Sequence, residues 1–303
     1  MAAPNINTEP GQRARLPQSI VNLGKTLLVD RYALVGVVIY LIFFGVAAFA
    51  PIIAPYDPLE ILFTPDGMLA ADLQPNFEHP LGTTNLGRDI FSQLIFGTRS
   101  ALLVGLTAAF FVVAVGTLVG LVSGYFGGWI DTLLMRLTDV AFGIPFLPFV
   151  IVVSAFLAPS IWNIVIAMAL VLWRDTARVI RSQVLTVRER AYIEAARVTG
   201  SSHTRIMFVH VAPNILPLSF LYGSIAVGWA ILTEASISFL GFGDSSVVSW
   251  GYMLQDAFVS QALSRGAYHW FVPPGLAIVF IVVAGFFISR GYEELLFPKL
   301  KDE

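Results

Sequence analysis

Arg188-Glu189-Arg190-Ala191-Tyr192-Ile193-Glu194-Ala195-Ala196-Arg197-Val198-Thr199-Gly200 is a charged, alanine-rich island in a largely apolar chain. It is continued by Ser201 to Val211 and by Ala212-Pro213-Asn214. From Arg188 to Val198 the composition favours helix, with Ala191, Ala195 and Ala196 forming a low-profile face between Glu189 and Glu194. Gly200 can take the left-handed conformation that ends a helix, Ser201 or Ser202 can cap a second one, and Pro213 precedes a new apolar run. The spacing therefore predicts a short helical hairpin. On its own the segment allows two readings, a knob for docking a partner and an ordinary polar loop.

What surrounds the island decides the environment. The 303 residues are 56% hydrophobic and 13% charged, with a mean hydropathy of +0.77. A water-soluble domain is about 45–50% apolar, so the composition describes an integral membrane protein whose first partner is the lipid bilayer. There is no cysteine, which excludes disulfides, thiolate nucleophiles and thiolate metal sites.

Apolar runs free of Asp, Glu, Lys and Arg extend over Ala33 to Ala54, Leu102 to Leu121, Val140 to Leu157, Ile161 to Trp173, Ile215 to Thr233 and Val272 to Ser289. A spanning helix needs about 20 residues. The run from Ile161 is short, but Thr176 to Leu185 can carry the same helix into water, with Trp173 at the interface. The expectation is an all-α polytopic protein with six transmembrane helices. Ala48-Phe49-Ala50 imitates a signal-cleavage site, but the leader is long and Pro51 follows directly, so an uncleaved anchor is expected.

With six spans, both termini and the island lie on one side. That side holds fifteen of the eighteen Lys and Arg residues; the other holds Arg88, Arg99 and Arg265 against nine acidic residues. Basic loops stay cytoplasmic, which places the termini and the island inside. The expected organisation is a tail over residues 1–30, a first anchor over 31–54 and an outer segment over 55–100. A core of five further spans follows over 101–290, with the polar loop 174–213 inside it, and then a tail over 291–303. Ile90 to Arg99 reads as an amphipathic helix on the outer surface. The acidic Asp57, Glu60, Asp66, Asp72 and Glu78 read either as a seat for an outer partner or as ordinary outer-side charge bias.

In the second span Gly116, Gly120 and Gly124 recur every four residues, so one face admits a close neighbour, either in this chain or in another subunit. Pro145 and Pro148 should kink or locally unwind the third span, as a packing feature or as a break lining a pathway.

Several chemistries are excluded by what is missing. Gly24-Lys25-Thr26 resembles the end of a phosphate-binding loop, but Ser19 stands where that loop needs glycine, and no strand precedes it. His79, His203, His210 and His269 lie far apart and form no spaced pair with a carboxylate, so no metal site is expected. Ser224 and His269 have no nucleophile motif around them. The apolar runs hold no charge, whereas ion-coupled carriers and pumps keep ionisable groups there. Glu234, at the outer end of the fifth run, reads as a solvated helix-end carboxylate. Energy for any transport must come from outside the chain. A stand-alone channel or secondary carrier is the competing class, and no nucleic-acid partner is expected.

Glu194, Ala195, Ala196, Gly200 and Pro213 resemble the EAA motif of binding-protein-dependent ABC importer permeases; Ala212 stands where that motif has Leu, and His210 where it has Ile or, in peptide-type members, His. Three further stretches, His79 to Asp89, Gly124 to Asp131, and Glu234 to Gly243 with Ser249-Trp250-Gly251, resemble the C-type subunit of the dipeptide/oligopeptide/nickel permease family. Phe287 to Gly291 departs from it. The resemblance implies a type I ABC importer permease fold and a cytoplasmic coupling helix between spans four and five. In it, Arg190, Ala191, Tyr192, Glu194, Ala195 and Ala196 would contact the ATPase. It implies as partners a homologous B-type permease, one or two ABC ATPase subunits and an extracytoplasmic solute-binding protein. This chain would bind no cofactor, ATP and Mg being held by the ATPases, and would catalyse nothing itself. The implied cargo is small peptides, with nickel chelates, glutathione or sugars as alternatives. Closure of the ATPases would move the Arg188 to Gly200 helix as a lever and rock the fourth and fifth spans.

Overall fold

Among the described residues, five long helices and one helix pair in which the regular backbone is interrupted organise the molecule. The computed structural model describes residues 30–157 and 160–296; the N-terminal tail expected over 1–30 lies outside them except for residue 30, whereas residues 291–296 of the expected C-terminal tail continue the last helix. Helix α1, Arg31–Ile53, starts on the Asp30 side chain, which accepts from Ala33 N (2.6 Å). Only Ala33, Gly36 and Ala50 of α1 are buried, so most of its apolar surface is left for lipid. Helix α2, Ile90–Phe126, is 37 residues long and is capped by Asp89, which accepts from Ser92 N (2.7 Å).

The separate surface helix expected at Ile90 to Arg99 does not exist, because those residues form the first turns of α2. No glycine or proline stands at Ser100-Ala101-Leu102 to break the ladder. Packing holds the junction straight: Ser100 Oγ donates to Val248 O (2.5 Å), and Trp250 Nε1 donates to Leu94 O (3.1 Å).

Gly127 and Gly128 both take positive φ (66° and 57°), which lets the chain reverse into α3, Gly128–Gly143. The apolar run Val140 to Leu157 then fails to form one helix. Helix α3 ends at Gly143, and α4, Phe146–Phe156, leaves at 80° to it. The cause is local. Pro145 cannot donate to the preceding turn and drives Ile144 to an extended conformation (φ −83°, ψ 119°). Pro148 falls in the first turn of α4, where its missing N–H costs nothing. Of the two outcomes expected, a kink or a local unwinding, the chain takes the second. Carbonyls freed at the end of α3 are met by Arg174, whose Nη1 donates to Ala141 O and Ile144 O while its guanidinium lies 4.7 Å from the Phe142 ring.

Helix α5, Ile161–Arg188, runs unbroken from the apolar stretch into the polar one, as the spacing predicts. Helix α6, Ala191–Val198, follows. A short turn, α7, His203–Arg205, passes through a π-helical turn at Ile206–Val211 into α8, Ala212–Phe239. Helix α9, Trp250–Val259, and α10, Tyr268–Leu296, complete the chain. Among the described residues extended pairing is limited to two isolated antiparallel bridges, Phe63 with Leu69 and Thr83 with Asp89. Among the described residues four stretches are long and apolar enough to cross a membrane, α1, α2, His203–Phe239 and Tyr268–Glu293, or five if the bent α3–α4 pair counts as one. The charged half of α5, with Arg174, Asp175, Arg178 and Arg181, keeps that helix out of the count.

The glycine face of α2 lies against α5. A Cβ at Gly120 would stand 2.5 Å from Ala177 O, one at Gly116 2.6 Å from Thr176 Cβ, and one at Gly124 2.8 Å from Val184 Cβ. Three buried clusters follow along the bundle. At the α6 end, Leu121, Ile180, Val184, Ile193, Val211 and Ile215 pack together. In a second, α2, α4, α5 and α8 meet around Val104, Val150, Met168 and Ala230. At the opposite end Ile90, Ile231, Trp250 and Trp270 join α2, α8, α9 and α10. Glu234 is 2% exposed there and accepts from Ser238 Oγ (2.6 Å), which corrects the solvated helix end expected of it. Helix α8 continues past Glu234, and α9 closes over it so tightly that a Cβ on Gly251 would meet Ala235 O at 2.4 Å.

Candidate partner-docking surface

The polar island becomes one short helix laid across the end of the bundle. Glu189 (φ −86°, ψ 0°) stops α5, extended Arg190 (φ −75°, ψ 143°) turns the chain, and α6 runs for eight residues. It ends at Gly200 (φ 81°), with Gly200 N donating to Arg197 O (3.0 Å) and Ser201 N to Ala196 O (3.0 Å). This paired bonding is the Schellman stop, which a residue with Cβ would strain. Ser202 then caps the next helix, its Oγ accepting from Arg205 N (3.4 Å).

The second arm of the expected hairpin is not a separate element. His203–Phe239 is one continuous span, and Pro213 lies in the first turn of α8 instead of ahead of it. The chain accommodates Pro213 by widening the turn before it into a π turn, and Asn214 Nδ2 donates to His210 O (2.6 Å) in place of a lost ladder bond.

Along α6 the side chains divide by depth. Ile193 is fully buried in the cluster of Leu121, Val184, Val187 and Ile206, and Ala196 packs against that cluster's edge. Arg190, Ala191, Tyr192, Glu194, Ala195, Arg197, Val198 and Gly200 are exposed, with Val198 84% and Tyr192 43% accessible. The helix thus buries a single apolar residue and leaves two apolar side chains, Tyr192 and Val198, and two alanines uncovered. Pro145, Pro148 and the glycines of α2 lie outside α6, on other elements.

Behind α6 is a support that the sequence did not disclose. Arg181 holds Asp131 in a two-point ion pair, Nε to Oδ1 and Nη2 to Oδ2, each 2.5 Å. Ser123 Oγ also donates to Asp131. Arg188 Nη1 donates to Gly124 O (2.8 Å), and Tyr125 Oη lies 3.0 Å from His203 Nδ1. Arg181 and Asp131, Arg188 and Gly124, and Tyr125 and His203 are 50 to 78 residues apart in sequence, so no local spacing signals these three pairs. Ile193 had a signal: it is the aliphatic residue midway through a charged helix.

The other candidates stay apart. His79 Nδ1 pairs with Asp89 Oδ1 (3.0 Å) at the opposite end. Among the described residues no group of three His, Asp or Glu is placed to hold a metal ion. Ser224 Oγ donates to Phe220 O (3.1 Å) within α8. A largely apolar groove of about 980 Å³ runs between α1, α2, α8 and α10, past Tyr40, Phe110, Thr117, Phe220 and Tyr292.

Comparison with known proteins accounts for this architecture. Residues 116–302 match the family described as binding-protein-dependent transport system inner membrane component. Residues 25–75 match the N-terminal TM domain of oligopeptide transport permease C. The dipeptide transport system permease protein DppC of Alkalihalophilus pseudofirmus is 35% identical over 278 residues, 91% of this chain and 89% of the relative. The oligopeptide transport system permease protein OppC of Bacillus subtilis is 31% identical over 297 residues, 96% and 94% of the two chains. The glutathione transport system permease protein GsiD of Pectobacterium atrosepticum is 34% identical over 262 residues, 86% and 85%. With its bundle of apolar helices and a match covering more than half its length, the chain belongs to the binding-protein-dependent transport system inner membrane component family, the membrane permeases of ABC importers.

Proposed function

We propose that this chain is the C-type permease of a peptide importer, that it crosses the membrane six times with both termini inside, and that α6 is the helix on which an ABC ATPase docks. Counting six crossings requires α3–α4 as one and α5 as another. The basic residues of α5 and α6 then lie on the cytoplasmic side with the rest of the positive charge. A homologous B-type permease would complete the pathway, one or two ATPase subunits would hold ATP and Mg, and an extracytoplasmic binding protein would deliver the solute. The chain itself is non-catalytic.

The observation that carries the docking role is the exposure pattern of α6. Ala191, Ala195 and Val198 face solvent while Ile193 pins it to the core, so a pocket of another subunit can close over it without clash. An Ala195→Arg substitution puts a long charged side chain on that face and leaves Ile193 in place. The variant is expected to insert and fold normally but to lose co-purification of the ATPase and ATP-driven uptake. Wild-type uptake by Ala195→Arg would refute docking at α6. Uptake by the purified chain alone in liposomes would favour a stand-alone channel or carrier.

The cargo is proposed to be di- or oligopeptides. The glutathione permease is about as similar as the dipeptide one, 34% against 35% identity, so a γ-linked tripeptide is the second reading. Nickel chelates and sugars are further alternatives. Mass spectrometry of the solute bound to the cognate binding protein separates them.

A further inference from the structure

Three consecutive residues at the end of α2 each hold a different element. Ser123 bonds Asp131 of α3, Gly124 O accepts from Arg188 at the end of α5, and Tyr125 pairs with His203. Arg188 and His203 bracket α6: one is the last residue of the helix before it, the other the first residue of the helical turn after it. Tyr125 is 6% exposed and lies edge-on to the His203 ring, with centroids 6.0 Å apart, whereas the His203 side chain itself is exposed. An exposed histidine has no packing need for this contact.

Helix α2 cannot slip past α5, because Gly116, Gly120 and Gly124 seat its backbone against Trp173 O, Ala177 O and Arg181 O. From Gly124 it runs roughly 45 Å, at 1.5 Å per residue, to Leu94, whose carbonyl accepts from Trp250 Nε1 (3.1 Å). Close by, Ser100 donates to Val248 O (2.5 Å), and Gly97 fits under Trp250 with no room for a Cβ. A displacement applied to α6 therefore has a continuous, close-packed route to the segment 248–250 at the opposite end.

We infer that Tyr125, Arg188 and His203 are positioning residues for energy coupling: they fasten both ends of α6 to α2, so that α2 moves with α6 as a strut and carries the displacement to the opposite mouth of the permease. This rests on α6 being the ATPase contact, and it adds a third driven helix to α5 and α8. A lever confined to α5 and α8 would need neither contact.

The test uses the complete importer, both permeases with the ATPases, in nanodiscs with the loaded binding protein. Variants are Tyr125→Phe, His203→Ala, His203→Gln, the Tyr125→Phe/His203→Ala pair and Ala195→Arg. Readouts are ATPase retained on the permease, stimulation of ATP hydrolysis by the loaded binding protein, and solute moved per ATP. Tyr125→Phe keeps the buried ring and His203 is exposed, so both variants should assemble. Each single variant is expected to retain the ATPase and lose stimulation about fivefold, the factor a hydrogen bond of ordinary net strength represents. The pair should be no worse than either alone, because both remove one contact, and His203→Gln should recover much of the loss. Normal stimulation in Tyr125→Phe and His203→Ala, or losses that multiply in the pair, would overturn the strut. If instead Ala195→Arg retains the ATPase and full stimulation, docking at α6 fails independently of the strut.

Discussion

Gly120→Ala adds one methyl at the tightest point of the α2–α5 seam. The new Cβ would stand 2.5 Å from Ala177 O, 2.8 Å from Ile180 Cβ and 2.9 Å from Arg181 N. Two of the three obstacles are backbone atoms of a neighbouring helix, which cannot rotate out of the way. Ordinary contact begins near 3.4 Å, so the helices must part by close to an ångström along a seam that also includes Gly116 and Gly124. Overpacking of this kind costs about 1–3 kcal/mol. Alanine recovers about 1 kcal/mol of helix propensity relative to glycine, which leaves a net loss of zero to about 2 kcal/mol. Gly120→Leu should exceed about 3 kcal/mol, since no side-chain volume is available there. Gly45→Ala is the matched control: it lies in α1 with nothing within 4 Å, and should gain the propensity without the strain. The assay is thermal or denaturant unfolding of the purified chain in nanodiscs, with the three variants in parallel. If Gly120→Ala proves as stable as Gly45→Ala, or more so, the backbone-close seam is wrong, and with it the claim that α2 and α5 move together.

Two other perturbations probe separate layers. Ile193→Ala removes the single buried anchor of α6 and should cost about 2–5 kcal/mol locally, seen as faster amide exchange over residues 191–198 and weaker ATPase retention, while α2 and α8 keep their protection; unchanged exchange would show that α6 is held by something else. Asp256, outside the spans on α9, has Oδ2 buried without a partner, and burial raises its pKa from 3.8 while Arg88 opposes the shift. A raised carboxylate pKa means the folded state favours the proton, so this group's stabilising contribution is full below pH 3.8 and is lost as pH rises through the folded value. Asp256→Asn should therefore unfold at higher temperature than wild type at pH 7, with the gap shrinking towards pH 4; a pH-independent gap would contradict the burial effect.

How far the sequence could be read depended on the range of the interaction. Apolar runs are long local signals, and they located α1, the apolar half of α5, α8 and α10 closely. Gly200 was legible because only one residue type sits well at φ 81°, and its helix stop followed from that. Ser202 followed from capping chemistry. Reading failed where two local signals competed. Pro145 signalled the break in its apolar run, but nothing local signalled that Arg174, 30 residues beyond Ile144, donates to the freed carbonyls. Pro213 looked like the start of a span, but the π turn absorbed it. The amphipathic look of Ile90 to Arg99 was real, and it proved to be the buried start of a longer helix because Trp250 and Val248 cover it.

By itself the sequence determined that this is an all-α membrane protein, which helix-forming island interrupts its apolar runs, and, through the motifs, the family of importer permeases. These are properties of composition, periodicity and backbone preference within a few turns of chain, and they need no knowledge of what packs on what. Only the tertiary structure decided that α2 is one continuous helix, that its glycines face α5, that Glu234 is buried, and that α6 is pinned by Ile193 and bracketed by Arg188 and His203. Each of those rests on contacts between residues far apart in the chain, and such pairings are chosen by close packing in three dimensions, which no local pattern encodes.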